Sequence, residues 1–313
     1  TIDRIFTEWV GEDNILLLKE IIAYCLIRDY PLGRIFWLIG SGSNGKSCFL
    51  NLLRKFIGAE NISSAELDRL LQSRFEITRL HKKLACLMGE TNFAEISQTS
   101  ILKKLTGNDT IGFEYKNKTP FEDKSFAKII IATNSPPSTS DKTTGFYRRN
   151  IIIDFPNQFS EKKDILREIP DKEYNNLALQ LVGILIKILE KREFHNEGTI
   201  EERQKRYEDH SNPLEKFWNE NIVEDYESHI FKYEFKSKFD EWCKERKFRA
   251  LSDKAILSFL KEKGIDSGKR QTEWVNNEGK KPYVRAWLGI KFKSNFQGFQ
   301  GFHPVSLSTP IGE

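Results

Sequence analysis

The chain has 313 residues, room for about two domains at the usual ~150 residues each. Hydrophobic residues make up 39% and charged residues 30%, which supports a globular core under a well-solvated surface. The longest apolar run, 177–189, is broken by Gln180 and Lys187 and falls short of the ~20 residues that cross a bilayer, so no membrane partner is expected.

The net charge of +4 is uninformative, but its distribution is not. Residues 244–293 carry 14 Lys/Arg against 6 Asp/Glu, a block suited to nucleic acid, to an anionic membrane surface or to a plain solvated face. Cys25, Cys48, Cys86 and Cys243 have no paired spacing. Cys48 and Cys86 lie in apolar segments and read as small buried hydrophobes in a reducing compartment. The five histidines form no zinc-ligand cluster. No signal peptide is visible, and a start at Thr1 rather than Met reads as a piece of a longer polypeptide.

Residues 1–33 form a helical region: 14–27 is densely apolar at helical spacing, and Pro31 with Gly33 ends it. From residue 34 to 157, short apolar strands at 35–39, 84–88, 127–133 and 150–155 alternate with helical stretches. The helices fall after residue 45 and around 97–105, and Ser63 with Glu66 has capping-box spacing for another. Such alternation predicts an α/β domain with a mainly parallel sheet. One segment departs from it: 110–115, a basic tip 116–120 and 121–126 read as a β-hairpin. Residues 158–212 form a helical linker or lid, with Asn212-Pro213 as boundary. A second domain, 213–293, shows helical patterns at 214–221, 232–247 and from the N-cap Ser252-Asp253 to Gly264, then strands at 274–283 and 284–292. Three helices and a strand pair follow the order of a winged helix. Residues 294–313 read as a flexible tail.

The most specific signal is Gly40-Ser41-Gly42-Ser43-Asn44-Gly45-Lys46-Ser47, the phosphate-binding P-loop pattern of Gly, four residues and Gly-Lys-Ser. A chance Gly/Ser loop is the alternative, but a buried strand precedes this one and a helix follows it. Glycines let backbone N–H groups turn toward phosphate oxygens, the Lys46 ammonium reaches the β/γ-phosphates, and the Ser47 hydroxyl can ligate Mg²⁺. Lys46 is expected in a solvated site. A nucleoside triphosphatase also needs a carboxylate at the end of another buried strand, and Glu90 after 84–88 supplies one, with Mg²⁺ reached through water. Asn134, after 127–133, can sense the γ-phosphate or simply begin a turn. Arg148 and Arg149, before 150–155, can stabilise transition-state charge on a neighbouring subunit or form a structural ion pair, and one of each kind is expected.

With those motifs in order, together with Leu102-Lys103-Lys104-Leu105-Thr106-Gly107-Asn108-Asp109, the chain resembles the superfamily-three AAA+ helicases. In particular it resembles the helicase half of virus- and plasmid-encoded primase-helicases. The resemblance covers residues 1–157 most clearly and implies an AAA+ P-loop NTPase core, ATP and Mg²⁺, and a hexameric homo-oligomer in the host cytoplasm. It further implies single-stranded DNA in the ring channel, duplex DNA at the C-terminal domain, and a primase domain in the full-length polypeptide. It makes Glu90 the Walker B carboxylate, Asn134 the sensor and Arg148 or Arg149 the arginine finger. Lys103, Lys116 and Lys118 fall in its DNA-loop region. Many members carry two acidic residues at Walker B, whereas Gly89 precedes Glu90 here, which leaves Mg²⁺ more dependent on Ser47, water and the phosphates.

The basic tip of the hairpin agrees with a loop tracking phosphates without reading sequence. Tyr115 and Phe113 can stack on bases or pack the hairpin. In the C-terminal domain, the third helix with Lys280 and Lys281 forms an expected basic face. The resulting function is an ATP-dependent replicative DNA helicase. The alternative is a DNA-binding AAA+ initiator or loader that unwinds little. A phosphotransferase kinase sharing the P-loop is disfavoured by the arginine pair and the basic block.

Overall fold

The structure is a computed structural model. It describes residues 1–40, 42–89, 95–96, 98–160, 165–245, 248, 251–275 and 279–294. The chain divides into two compact units, Thr1–Asn212 and Pro213–Glu313. Among the described residues no helix is long and apolar enough to cross a membrane.

The first unit begins with α1 (Ile2–Val10) and α2 (Ile15–Tyr24) and then alternates. Its next elements are β1 (Ile35–Ile39), α3 (Lys46–Ile57), β2 (Ile62–Ser63), α4 (Leu67–Gln72), α5 (Arg74–Ile77) and β3 (Ala85–Met88). There follow β4 (Glu95–Ile96), α6 (Ser100–Thr106), β5 (Thr110–Phe113), β6 (Phe121–Lys124), β7 (Lys128–Thr133) and β8 (Ser138–Thr139). It closes with α7 (Thr144–Tyr147), β9 (Asn150–Asp154), α8 (Asp171–Lys191) and α9 (Ile200–Ser211).

The central sheet runs β2-β3-β7-β1-β9, and every pairing in it is parallel. Both its faces are covered, which is why β1, β3 and β7 are buried at every position and read as continuous apolar runs. Successive side chains point to opposite faces. Phe36 and Leu38 therefore join a core with α1, α2, α3 and α8, while Ile35, Trp37 and Ile39 join another with α4, α6 and the β5–β6 hairpin. Helix α9 closes the second face: Tyr207 is fully buried against Trp37, Phe146 and Tyr147.

Because the strands are parallel, their C-terminal ends share one edge. Ile39 pairs with Thr133 and Asp154 there, and Ile35 pairs with Ile129 and Asn150 at the other. That single fact of direction decides where each motif falls.

Two local expectations fail. Ser63 is a buried member of β2, and α4 starts after Glu66 without a side-chain cap, so the Ser63/Glu66 capping box does not form. Cys48 is only half-buried, whereas Cys25, Cys86 and Cys243 are buried.

The second unit contains α10 (Pro213–Asn221), β10 (Ile222–Phe231), α11 (Lys232–Glu245), α12 (Asp253–Glu262), β11 (Ser267–Gln271) and β12 (Tyr283–Phe292). Its antiparallel sheet runs β10-β12-β11 over a core that includes Phe217, Phe235, Phe239, Trp242 and Trp287. Two corrections arise here. Strand β10 replaces a stretch the sequence left unassigned, and a register shift between Glu224 and His229 interrupts its alternation. The partner of the last strand is β11, not 274–283; its Ser-Gly-Lys-Arg-Gln sequence has no apolar residue to reveal it. Residues 276–278, within the expected strand 274–283, and the tail after Ser294 lie outside the described residues.

Candidate functional site

The loop 40–47 leaves the C-terminal end of β1 and opens α3, whose first residue is Lys46. Two glycines are dictated by contact. A Cβ on Gly40 would meet the Asn44 amide at 2.0 Å and the Phe155 carbonyl at 2.5 Å. Gly45 has φ +92°, and a Cβ there would meet the Trp9 ring at 2.5 Å. The loop is anchored by its neighbours. Asn44 is 3% exposed and donates to Phe155 O at 3.2 Å. Gln158 Nε2 donates to Gly42 O at 3.1 Å, and Phe159 N to Ser43 O at 2.7 Å.

Lys46 is 7% exposed, a correction to the solvated site expected for it. Its Nζ donates to Gly40 O and, at 3.0 Å, to Asn44 Oδ1, so the ammonium is turned back onto its own loop. The Ser47 side chain is exposed in the first turn of α3. Gly40 N donates to Thr133 O at 3.3 Å, which brings the end of β7 against the start of the loop. Asn134, the next residue, is exposed at the same edge. Ser41 and Glu90 lie outside the described residues; Gly89, which precedes Glu90, is exposed just past β3.

Arg148 and Arg149 lie at the opposite edge, before β9. Arg149 O accepts from Ile35 N, at the start of β1. The five residues of β1 separate them from the loop by about 17 Å at ~3.3 Å per residue. The two side chains differ. Arg149 is 8% exposed: its Nε donates to Thr106 Oγ1 at 2.9 Å, and its guanidinium also reaches Gly145 O and Lys103 O. Burial, and then the adjacent charge of Arg148, pull its pKa down. Arg148 is exposed and lines a cavity of about 570 Å³ with Asp29, Arg34, Asn108 and Arg192.

Lys103, on α6, is not at the hairpin. Its Nζ pairs with Asp141 Oδ2 at 2.5 Å and donates to Thr143 Oγ1 at 3.0 Å. Burial works to raise the Asp141 carboxyl, but hydrogen bonds from Lys103, Thr143 and Thr99 overcome it and hold Asp141 well below the usual carboxylate range.

The β5–β6 hairpin precedes β7 and so rises from the same edge as Arg148. Lys116, Asn117 and Lys118 form its exposed tip, with Asn117 at φ +61° and Lys118 Nζ 5.6 Å from the Tyr115 ring. Phe113 is fully buried, stacked 5.6 Å from Phe121, whereas Tyr115 is 41% exposed. The arms of the hairpin, up to the residues next to the tip, are pinned by residues the sequence reading missed. His81 contacts Tyr115 Oη at 3.2 Å and Asp123 Oδ2 at 3.1 Å, and Thr78 Oγ1 hydrogen-bonds both the N–H and the carbonyl of Glu114. Phe75 on α5 is 46% exposed and faces Tyr115 across a cavity of about 500 Å³ that Arg79 and Lys116 also line. No sequence pattern flags His81 or Phe75, because each lies more than thirty residues from its hairpin partner. Lys280 and Lys281 are exposed near β12, in the second unit.

Residues 38–149, from within β1 to Arg149, match a family of unknown function (DUF5906). The chain is 24% identical over 159 residues to "Putative helicase L207/L206" of Acanthamoeba polyphaga mimivirus, a match covering 49% of this chain and 16% of the viral protein. Similar solved structures include two apo forms of the NrS-1 C-terminal region. One has TM-score 0.46 and 18% identity, covering 92% of this chain and 74% of that one. The other has TM-score 0.47 and 15% identity, covering 92% and 75%.

Proposed function

We propose that this chain is an ATP-dependent DNA helicase of the AAA+ P-loop class that works as a ring, hexameric by resemblance, in the replication of a virus or plasmid. The observation that carries the reading is the division of labour between the sheet's edges. The P-loop and Asn134 occupy one edge. Arg148 occupies the other, about 17 Å away, where it can serve a nucleotide only in a second copy. The similarity to a viral protein named as a helicase supports the choice among P-loop enzymes.

The residues fit the substrate. Positions 40 and 45 admit no side chain, the N-terminus of α3 directs N–H groups at an anion, and Lys46 can swing from the Gly40 carbonyl to the β/γ-phosphates. The exposed Ser47 hydroxyl would hold Mg²⁺, with Glu90 acting through water; the ion would neutralise phosphate charge. Glu90 polarises the attacking water, Asn134 aligns it, and Arg148 supplies cationic charge from the neighbouring subunit. Arg149 is the structural member of the pair. The hairpin offers a single strand two lysines for phosphates, and Tyr115 with Phe75 as faces for bases. The second unit, whose helix and strand order is that of a winged helix, offers a DNA-contacting surface of its own.

The test is ATP hydrolysis with and without single-stranded DNA, alongside separation of a forked duplex. Stimulation by DNA and fork separation support the helicase. Hydrolysis indifferent to DNA, with an intact fork, would leave the initiator or loader reading.

A further inference from the structure

In the second unit four cations from four elements converge. Lys232 opens α11, Lys261 lies on the exposed side of α12, Lys269 is on β11 and Arg285 on β12. The fold brings them together. Lys269 and Arg285 are direct partners in the β11–β12 register. Trp287 shares a face of β12 with Arg285, two residues away, and its ring lies under Lys232 Nζ at 3.8 Å from the centroid. Partial burial, then the nearby charges of Arg285 and Lys261, push the Lys232 ammonium below its ordinary range.

Other lysines of this unit have answering carboxylates. Lys236 pairs with Asp240, Lys263 with Glu215 and Lys291 with Asp225. Among the described residues, none of the four convergent cations forms an ion pair.

Like charges directly opposite on a β-ladder are destabilising. Adding an ammonium over the same face and a second from α12 compounds the repulsion. Such an arrangement is relieved by a polyanion, and a phosphodiester backbone is the polyanion with repeated charges at matching reach. The frame favours a duplex. Two helices and a β-ribbon fix the cations in space, as a regular double helix fixes its phosphates. Among the described residues of β11 and β12 the exposed aromatic is Tyr283, and Tyr233 is exposed beside Lys232 on α11, two rings against four cations, while Trp287 is buried beneath Lys232. The hairpin of the first unit, where Tyr115 and Phe75 accompany its lysines, has the aromatic composition that suits a single strand.

We propose that Lys232, Lys261, Lys269 and Arg285 form a binding surface for the phosphate backbone of duplex DNA. This surface differs from the one expected from the sequence, which centred on Lys280 and Lys281. It also requires no ATP hydrolysis.

The test uses the full chain without nucleotide, binding a blunt duplex and a single strand of equal length between about 50 and 200 mM salt. The variant Lys261→Gln/Lys269→Gln/Arg285→Gln keeps Lys232 on Trp287, so the packing of the core is preserved; circular dichroism checks the fold. Each cation that neutralises a phosphate contributes about 0.9 to the salt slope on duplex, so the triple variant should have a slope lower by roughly 2.7 and bind at least tenfold more weakly at the low-salt end. Lys280→Gln/Lys281→Gln should have the smaller effect. Unchanged duplex slope and affinity in the folded triple variant would overturn the proposal. So would weakening confined to the single strand, which would make the surface a single-strand site. Basal ATP hydrolysis, measured in parallel, should be unaltered; its absence from the unaltered protein would count against the helicase reading and not against this surface.

Discussion

At the C-terminal edge of the parallel sheet, the loop 40–47 is held on several sides. Trp9 lies beneath Gly45, Phe155 O receives Asn44, and residues 158–159 cross Gly42 and Ser43. At the N-terminal edge the chemistry is held at its base and offered outward. Arg148 is exposed beside a buried Arg149, and the hairpin tip is exposed beyond arms clasped by His81 and Thr78. The contrast is between a loop packed on several sides and side chains presented to solvent, and it is the contrast the proposed reading requires: one edge for a small fixed ligand, the other for partners from outside the chain.

The sharpest break of the first edge is Lys46→Ala. ATP hydrolysis should fall to background, because no other strong cation lies in the loop. Removing the Gly40 and Asn44 hydrogen bonds should cost about 1 kcal/mol, read as a small drop in unfolding midpoint. Near wild-type hydrolysis would refute the phosphate role.

At the second edge the two arginines should part company. Arg148→Ala should lower turnover on the order of 10³-fold with unchanged stability. Arg149→Ala should lose about 2 kcal/mol of stability by stranding Thr106, Gly145 and Lys103 acceptors. Denaturant titration beside a turnover assay separates the two, and the reverse pattern would exchange the roles.

The floor of the second edge holds a further contrast with the surface above it. Lys128 is fully buried against the rings of Tyr24 and Tyr30, with its Nζ on Ile27 O. Burial lowers its pKa from 10.5 to about 8, with Cys25 and Asp29 opposing. Below pH 8 the ammonium exists in both folded and unfolded chains, and the folded state bears its full desolvation. Between about 8 and 10.5 the unfolded chain binds the proton and the folded chain does not, so this group's contribution to stability rises with pH, by about 3 kcal/mol in all. In Lys128→Met that rise should vanish, as measured by urea unfolding of both proteins across the window. Parallel pH profiles would contradict the buried charge.

The smallest expected effect is at the hairpin tip. Lys116→Ala with Lys118→Ala should reduce the salt slope of single-strand binding by about 0.7 for each lysine that holds a phosphate, and leave basal hydrolysis intact. An unaltered slope would remove the tip from the DNA path.

The sequence made legible what is covalently local. The loop 40–47 between strand and helix, the four long strands of the central sheet and the 110–126 hairpin each declare themselves within a short window, because buried parallel strands are apolar throughout and a basic tip stands out between β-rich flanks. What remained hidden depends on distant neighbours. Trp9 under Gly45, His81 against the hairpin arms and Phe75 facing Tyr115 are set by tertiary packing. Strand β11 carries no apolar residue, and the register shift in β10 erases its period, so both were invisible to patterning. The burial of Lys46 was likewise unreadable, since the carbonyl that receives it belongs to the loop's own fold.

The central claim is that the two edges of the sheet meet only between copies of the chain. Mixing Lys46→Ala protein with Arg148→Ala protein tests it directly. Some interfaces in the mixture pair an intact P-loop with an intact Arg148, so ATP hydrolysis should reappear above either variant alone. Hydrolysis that stays at the sum of the two inactive proteins, while both still assemble, would contradict a site shared between subunits.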